Sequence, residues 1–404
     1  MSTVRSDLVA IALLLSFVGA LFVRPPVSAS GINITESDVE HSFAQHVTFT
    51  LEAVSEADIS EVYLFFRATH EQETEKKKLA LEQPSQEVSL TYTHDARRYP
   101  LPPFADITFW WQIQDAAGNQ LKTAPEQFKY VDNRFGWEQI SSAGITVNWM
   151  AGRGDPAFAQ TALDIAQASV QDIRAELQAP MPDPLDIFIY DSEQNLEAAM
   201  VLTGRDWVGG QARPELGVVV ISASPEEGYT SRMKRYLPHE ITHLLIYELV
   251  TPEGYKHVPE WLDEGLATAN ERMPTPEYTV LLEEARRGGD LLSLEELCVP
   301  FPPDSRTAAL SYAQSASVVA FIRKQHGAEG IRKLLSAYAN GASCTSGVRE
   351  ALGVSLSRLE SEWRMSLQPE SGWRAALNQM GVWVGVWLLT LLVAVPMIGG
   401  FRRR

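Results

Sequence analysis

Apolar and polar residues alternate with a period of two through the first third of the chain. Val47, Phe49 and Leu51 alternate with Thr48, Thr50 and Glu52, and the pattern returns at Val62, Leu64 and Phe66. It recurs at Val88, Leu90 and Tyr92, and again at Ile107, Phe109, Trp111 and Ile113. Successive side chains of a strand point to opposite faces, so each run predicts a strand with one buried face. Turn-rich spacers separate the runs, and residues 30–132 read as a small antiparallel β-sandwich. The charged run Glu71–Lys78 (EQETEKKK) fits a solvated hairpin tip.

From about Phe135 the pattern changes to mixed α and β. Ile145–Trp149 predicts a strand and Pro156–Leu177 a helix, with Asp155 as its N-cap and proline at the first helical position. Leu185–Tyr190 (LDIFIY) and Gly217–Ser222 (GVVVIS) read as buried strands. The second of these is either an edge strand open to an extended peptide or an ordinary central strand. Residues 231–250 and 259–271 carry helical spacing, and helical patterns continue to about residue 366. The fold class expected is therefore α+β, with the β-sandwich followed by a second domain over 133–370.

Two uncharged apolar runs flank this body. Leu8–Val23, behind Arg5, is 16 residues long. That is short for a membrane span but suits a secretory signal, and Val27-Ser28-Ala29 places cleavage after Ala29. Met380–Phe401 has 22 residues, long enough at 1.5 Å rise per residue to cross the hydrocarbon core. Trp383 and Trp387 suit an interface, and Arg402, Arg403 and Arg404 suit a cytoplasmic tail over 402–404. The expectation is a signal peptide over 1–29 and a transmembrane helix over 380–401. The body would then lie outside the cell membrane as a single-pass protein.

Charge narrows the partners. The 404 residues carry 34 basic and 51 acidic side chains, a net charge of −17. Taking away Arg5, Arg24, Asp7 and the three terminal arginines leaves residues 30–379 at −21. So acidic a body repels phosphate backbones, which disfavours nucleic acid as a partner. Cys298 and Cys344 are the two cysteines. Outside the cell they could form a disulfide or remain two buried thiols.

The chemistry sits at His239-Glu240-Ile241-Thr242-His243, an HExxH sequence. On a helix, histidines four apart share one face and can close on a single metal ion. Glu240, one position round, can reach a metal-bound water without ligating the metal. With this composition, chance yields about 0.01 such matches in the chain. Ile241, Leu244, Leu245 and Leu249 form an apolar stripe, so the helix is expected to be buried. Pro238 either begins it or kinks it. A catalytic zinc needs a third protein ligand and an open position. Downstream, in Pro259–Ala267 (PEWLDEGLA), Glu260, Asp263 and Glu264 compete for that place; Glu260 and Glu264 share a helical face, while Asp263 points elsewhere.

HEITH followed about twenty residues later by PEWLDEGLA resembles the gluzincin metallopeptidases, especially the bacterial membrane-associated "peptidase MA-like" proteins. The resemblance implies a zincin-type domain with one zinc per chain, and selects Glu264 as third ligand beside His239 and His243. It implies Glu240 as general base and a peptide or protein as substrate. It also implies that Tyr312, in Ser311–Ala316 (SYAQSA), hydrogen-bonds the reaction intermediate, although Gln314 and Ser315 stand where aminopeptidases of this kind carry a Lys-Gly pair. Their GAMEN segment, which reads a free amino group, would fall near Gly209–Arg213 (GGQAR). The pattern is absent there and Glu215 is a weak substitute, so an endopeptidase is expected. Leu101–Asn119, ending in DAAGN, resembles immunoglobulin-like or fibronectin-III-like modules. His257, close to Glu260, reads as a loop residue. Two other readings stand beside the peptidase: a catalytically silent anchored binding module, and a zinc amidase or esterase.

Overall fold

The computed structural model describes residues 31–71, 73–200, 209–226, 228–273, 275–302 and 305–368. The signal peptide expected over 1–29, the membrane helix over 380–401 and the tail 402–404 lie outside the described residues. Among the described residues no helix is long and apolar enough to cross a membrane. The chain divides into two compact units. One holds the described residues up to His41 with Gln45–Tyr99 and Asp106–Phe128, and the other holds Ser42–Ala44, Pro100–Ala105 and the chain from Lys129.

The first unit is all β. Its strands are β1 (Ile32–Ser42), β2 (His46–Ala68), β3 (Glu75–Leu79), β4 (Ser85–Asp95), β5 (Asp106–Asp115), β6 (Gln120–Lys122) and β7 (Glu126–Lys129). Among the described residues they form one hydrogen-bonded sheet ordered β1-β2-β5-β6, with β3 and β4 also on β2 and β7 on β5. The length of β2 makes this possible. Its first half pairs with β4 and its second half with β3 and β5. Between Ile59 and Glu61 two residues of β2 oppose one of β5, a bulge that shifts the inward face from odd to even positions. Val47, Phe49 and Leu51 before it and Val62, Leu64 and Phe66 after it are therefore all fully buried. Glu75–Lys78, expected at a hairpin tip, instead belong to β3. The Lys76 ammonium lies 4.2 Å from the centre of the Tyr63 ring across the strand pair, which gives the charged run a reason to extend.

The second unit layers helices on a mixed sheet. Its strands are β8 (Trp137–Ser142), β9 (Ile145–Met150), β10 (Leu185–Tyr190), β11 (Gly210–Arg213) and β12 (Val218–Ser222), in the order β11-β12-β10-β9-β8. β9, β10 and β12 run parallel, while β8 and β11 are antiparallel to their neighbours. β12 is thus a central strand, and the edge beside it is β11. Helix α1 (Pro156–Leu177) begins as expected, with the Asp155 carboxylate accepting from the Phe158 amide at 2.8 Å. After the short α2 (Glu193–Ala199) come α3 (Tyr229–Tyr255), α4 (Glu260–Ala269), α5 (Pro276–Gly288), α6 (Ser305–Ala339), α7 (Cys344–Leu352) and α8 (Leu356–Ser366). Pro238 lies inside α3, two turns from its start. The regular part of α3 ends at Thr251, which has φ +68° and precedes Pro252.

α1 and α4 pack on α3, and α4 on α6. Ile241, Leu244 and Leu245 are fully buried and Leu249 partly so, which anchors the motif helix in the core. Cys298 and Cys344 are bonded, with Cα atoms 6.1 Å apart and a sequence separation of 46. Closing a loop of that length stabilises by about 4 kcal/mol in the chain-entropy model. Gly265 sets the distance between α4 and α6. A Cβ there would stand 2.8 Å from the Ser315 carbonyl oxygen and 3.0 Å from Val319. Backbone cannot yield as a side chain can, so Gly265→Ala should push the two helices apart and lower unfolding stability by about 1–3 kcal/mol in denaturant titration.

Candidate metal centre

Helix geometry places His239 and His243 one turn apart on α3, ring centres 5.2 Å apart, and α4 carries Glu264 across from both. Glu264 Oε2 lies 3.2 Å from His239 Nε2 and 3.6 Å from His243 Nε2. One ligand atom from each of the three residues falls within 4.8 Å of the others. Tetrahedral zinc with bonds of about 2.0–2.1 Å holds its ligand atoms about 3.3 Å apart, so the donor set fits that ion. Of the three competing carboxylates, Glu264 is the one that joins the histidines. Glu260 lines the cleft without belonging to the group.

Each imidazole is held from behind. His243 Nδ1 is 3.1 Å from Asp263 Oδ1, and the Tyr255 hydroxyl donates to Asp263 Oδ2 at 2.7 Å. His239 Nδ1 is 3.3 Å from Glu271 Oε1. With Nδ1–H given to a carboxylate, the tautomer leaves Nε2 free to ligate. Sequence spacing had set Asp263 aside as pointing elsewhere. It does point away from Glu264's direction, by the 100° between helical neighbours, and that rotation brings it behind His243. Glu271 and Tyr255 were not foreseen. The signal for them was indirect: two ligating histidines require two acceptors behind them.

Electrostatics follow the geometry. Burial disfavours a charged His239, but hydrogen bonds to Glu264 and Glu271 outweigh it and raise the imidazole to about 10. His243 is likewise held well above its ordinary value, burial being overcome by Asp263 and Glu264. Burial also opposes ionisation of Glu264, yet the His243 charge and the His239 hydrogen bond hold its carboxyl well below the usual range. A field that keeps two imidazolium protons is one that a divalent cation can take over by displacing them. Glu240 is different. Burial pushes its carboxyl above the usual range, against the pull of the two neighbouring histidines.

The three donors and Glu240 open on a cleft of about 440 Å³. β11 forms one wall through Gly210, Gln211 and Ala212, and Tyr312 of α6 lines it too. Gly210 permits the close approach of that strand, since a Cβ there would stand 2.9 Å from Glu240 Oε1. Tyr312 is half-buried, its ring 5.2 Å from Phe301 and 6.3 Å from His239. Gln314, on the opposite side of α6, is fully buried and brackets Leu292 through its amide and carbonyl. It therefore serves packing and leaves Tyr312 as the cleft-facing residue of the segment. His257 is exposed and does not line the cleft. Glu215 pairs with Arg213 at 2.9 Å instead of facing the cleft.

Comparison with known proteins places the chain in a family. A stretch of 155 residues is 30% identical to Aminopeptidase M1 of Arabidopsis thaliana, covering 33% of this chain and 17% of that protein's length. The solved structure of an aminopeptidase N family protein from Idiomarina loihiensis superposes with a TM-score of 0.42 at 9% identity, over 81% of this chain and 75% of that one. The family pattern of the Peptidase MA superfamily matches residues 165–369, just over half of the sequence and the whole of the metal centre, and the chain belongs to that superfamily.

Proposed function

We propose that the chain is a zinc-dependent peptidase with His239, His243 and Glu264 as metal ligands, one zinc per chain, and Glu240 as general base. The observation that carries this reading is the meeting of those three donors within 4.8 Å, beside a buried carboxylate and an open cleft, in a member of a peptidase superfamily. When bound, zinc supplies Lewis acidity toward a water molecule and the scissile carbonyl. Glu240 accepts the water's proton as its oxygen bonds to the carbonyl carbon, and gives that proton to the nitrogen as the C–N bond breaks. The Tyr312 hydroxyl donates to the carbonyl oxygen as charge gathers there, a contribution of about 3 kcal/mol for one such donor. The outer edge of β11 offers backbone groups for an extended peptide, which favours a peptide substrate over an ester.

Endopeptidase action is the preferred form. An aminopeptidase must fix a free ammonium, and among the described residues the cleft wall at Gly210–Ala212 presents no acidic side chain, Glu260 lying across the cleft on α4. The same reading makes the β unit an immunoglobulin- or fibronectin-III-like module. It anchors the protein in the cell membrane through 380–401, with the peptidase on the extracytoplasmic side.

Glu240→Gln should abolish hydrolysis of denatured casein while zinc, measured by elemental analysis, stays near one equivalent. An active variant would remove Glu240 from its role. Wild-type protein that binds zinc yet cleaves neither casein nor a peptide library would point to the silent binding module. Glu264→Ala should lower bound zinc well below one equivalent, and Glu260→Ala should leave it unchanged. The reverse pattern would show that the third ligand had been misassigned.

A further inference from the structure

Pro238 sits inside a buried functional helix, where proline is ordinarily disfavoured because it lacks an N–H for the residue four positions back. That residue is Lys234, and its carbonyl oxygen is not left orphaned. The backbone N–H of Arg272, beyond the end of α4, donates to it at 2.8 Å. A second bond lies close by. Thr242 Oγ1 donates to the Pro238 carbonyl at 2.7 Å and accepts from Asn270 Nδ2 at 3.0 Å. Asn270 and Arg272 are thus both tied to α3, and the residue between them is Glu271, whose carboxylate meets His239 Nδ1.

Glu271 needs such restraint. Its Oε2 is buried and has no hydrogen-bond partner among the described residues, so the carboxylate occupies a place that desolvation disfavours. The turn that carries it is the C-terminal cap of α4, where the Glu271 N–H donates to the Thr268 carbonyl at 3.2 Å and the side chain itself is left to be fixed from α3. An alanine at 238 would restore an amide that competes with the Arg272 N–H for the Lys234 carbonyl and so loosens the clasp.

We infer that Pro238 is a positioning residue for the metal centre: by freeing the Lys234 carbonyl it clasps the 270–272 turn to α3 and fixes Glu271 behind His239. This rests on the metallopeptidase reading, and it predicts opposite effects on metal affinity and on fold stability. Partners behind a ligating histidine typically govern about 10- to 100-fold in metal affinity. Alanine, by contrast, is the better helix former.

The test is a competition titration of Zn²⁺ against a chelating dye, on the full chain, for wild type, Pro238→Ala, Glu271→Ala, Glu271→Gln and the double variant Pro238→Ala/Glu271→Ala. Pro238→Ala should weaken zinc binding about ten-fold while the melting temperature of the zinc-free protein stays level or rises. Glu271→Ala should weaken it about 10- to 100-fold, and Glu271→Gln, which keeps an acceptor, should recover part of that loss. The double variant should bind no more weakly than Glu271→Ala alone, because both changes remove one interaction. Wild-type affinity in Pro238→Ala would overturn the inference, as would losses that add in full. Wild-type protein that takes up no zinc would overturn the metallopeptidase reading itself, and this inference with it.

Discussion

An imidazole has two nitrogens, and in a buried site both must find partners. In this chain the requirement is met twice over. Asp263 stands behind His243 and Glu271 behind His239, so both Nε2 atoms turn toward Glu264. Most of the architecture of the second unit serves this arrangement. The apolar stripe of α3 locks the histidines into the core, and the missing side chain of Gly265 lets α4 approach α6 with Glu264 beside it. The result gathers Glu240, Asp263, Glu264 and Glu271 in a small buried volume. Carboxylates so placed repel one another, and only cationic partners make the cluster tolerable.

Close approach of backbone to chemistry recurs on the other wall. β11 passes so near Glu240 that a Cβ at position 210 would crowd its carboxylate. The strand is also the free edge of the sheet among the described residues, next to the parallel core formed by β12, β10 and β9. The Glu240 carboxylate and the β11 edge are therefore set against each other by one contact. Tyr312 faces the same cleft from α6, held by Phe301 and Tyr278 and backed by the buried Gln314 clamp on Leu292. A site assembled from a strand edge and three helices is rigid because each part is packed on its far side.

Much of this was legible in the chain itself, because local rules carried it. The strands at 185–190 and 218–222 and the helix at 156–177 with its Asp155 cap follow from periodicity and end chemistry. HExxH places its histidines by helix pitch, whatever surrounds it. In the β unit the alternating runs of β2, β4 and β5 were legible, but β1, β3, β6 and β7 were not, and neither was the pattern of pairing. The bulge near Ser60 changes the phase of β2 without any glycine or proline to mark it, and β3 forms from lysines that lie on neighbouring rings. The open choices at Gly217–Ser222 and at the two cysteines were closed by tertiary contacts, which placed β12 in the centre of its sheet and the two sulfurs in one bond.

What the amino-acid order determined alone was the chemistry within one element: two histidines on one helical face, a glutamate beside them, and a proline that removes one amide. What only the tertiary structure decided was the company each of these keeps. Glu264 rather than Glu260 faces the histidines, Asp263 stands behind one ring, and Glu271 stands behind the other because Arg272 captures the carbonyl that Pro238 sets free. The reason is one of range. Helix pitch relates residues within a few positions of one another, whereas the meeting of residues 20 to 40 positions apart depends on how closely α3, α4 and α6 pack, and no local rule contains that distance.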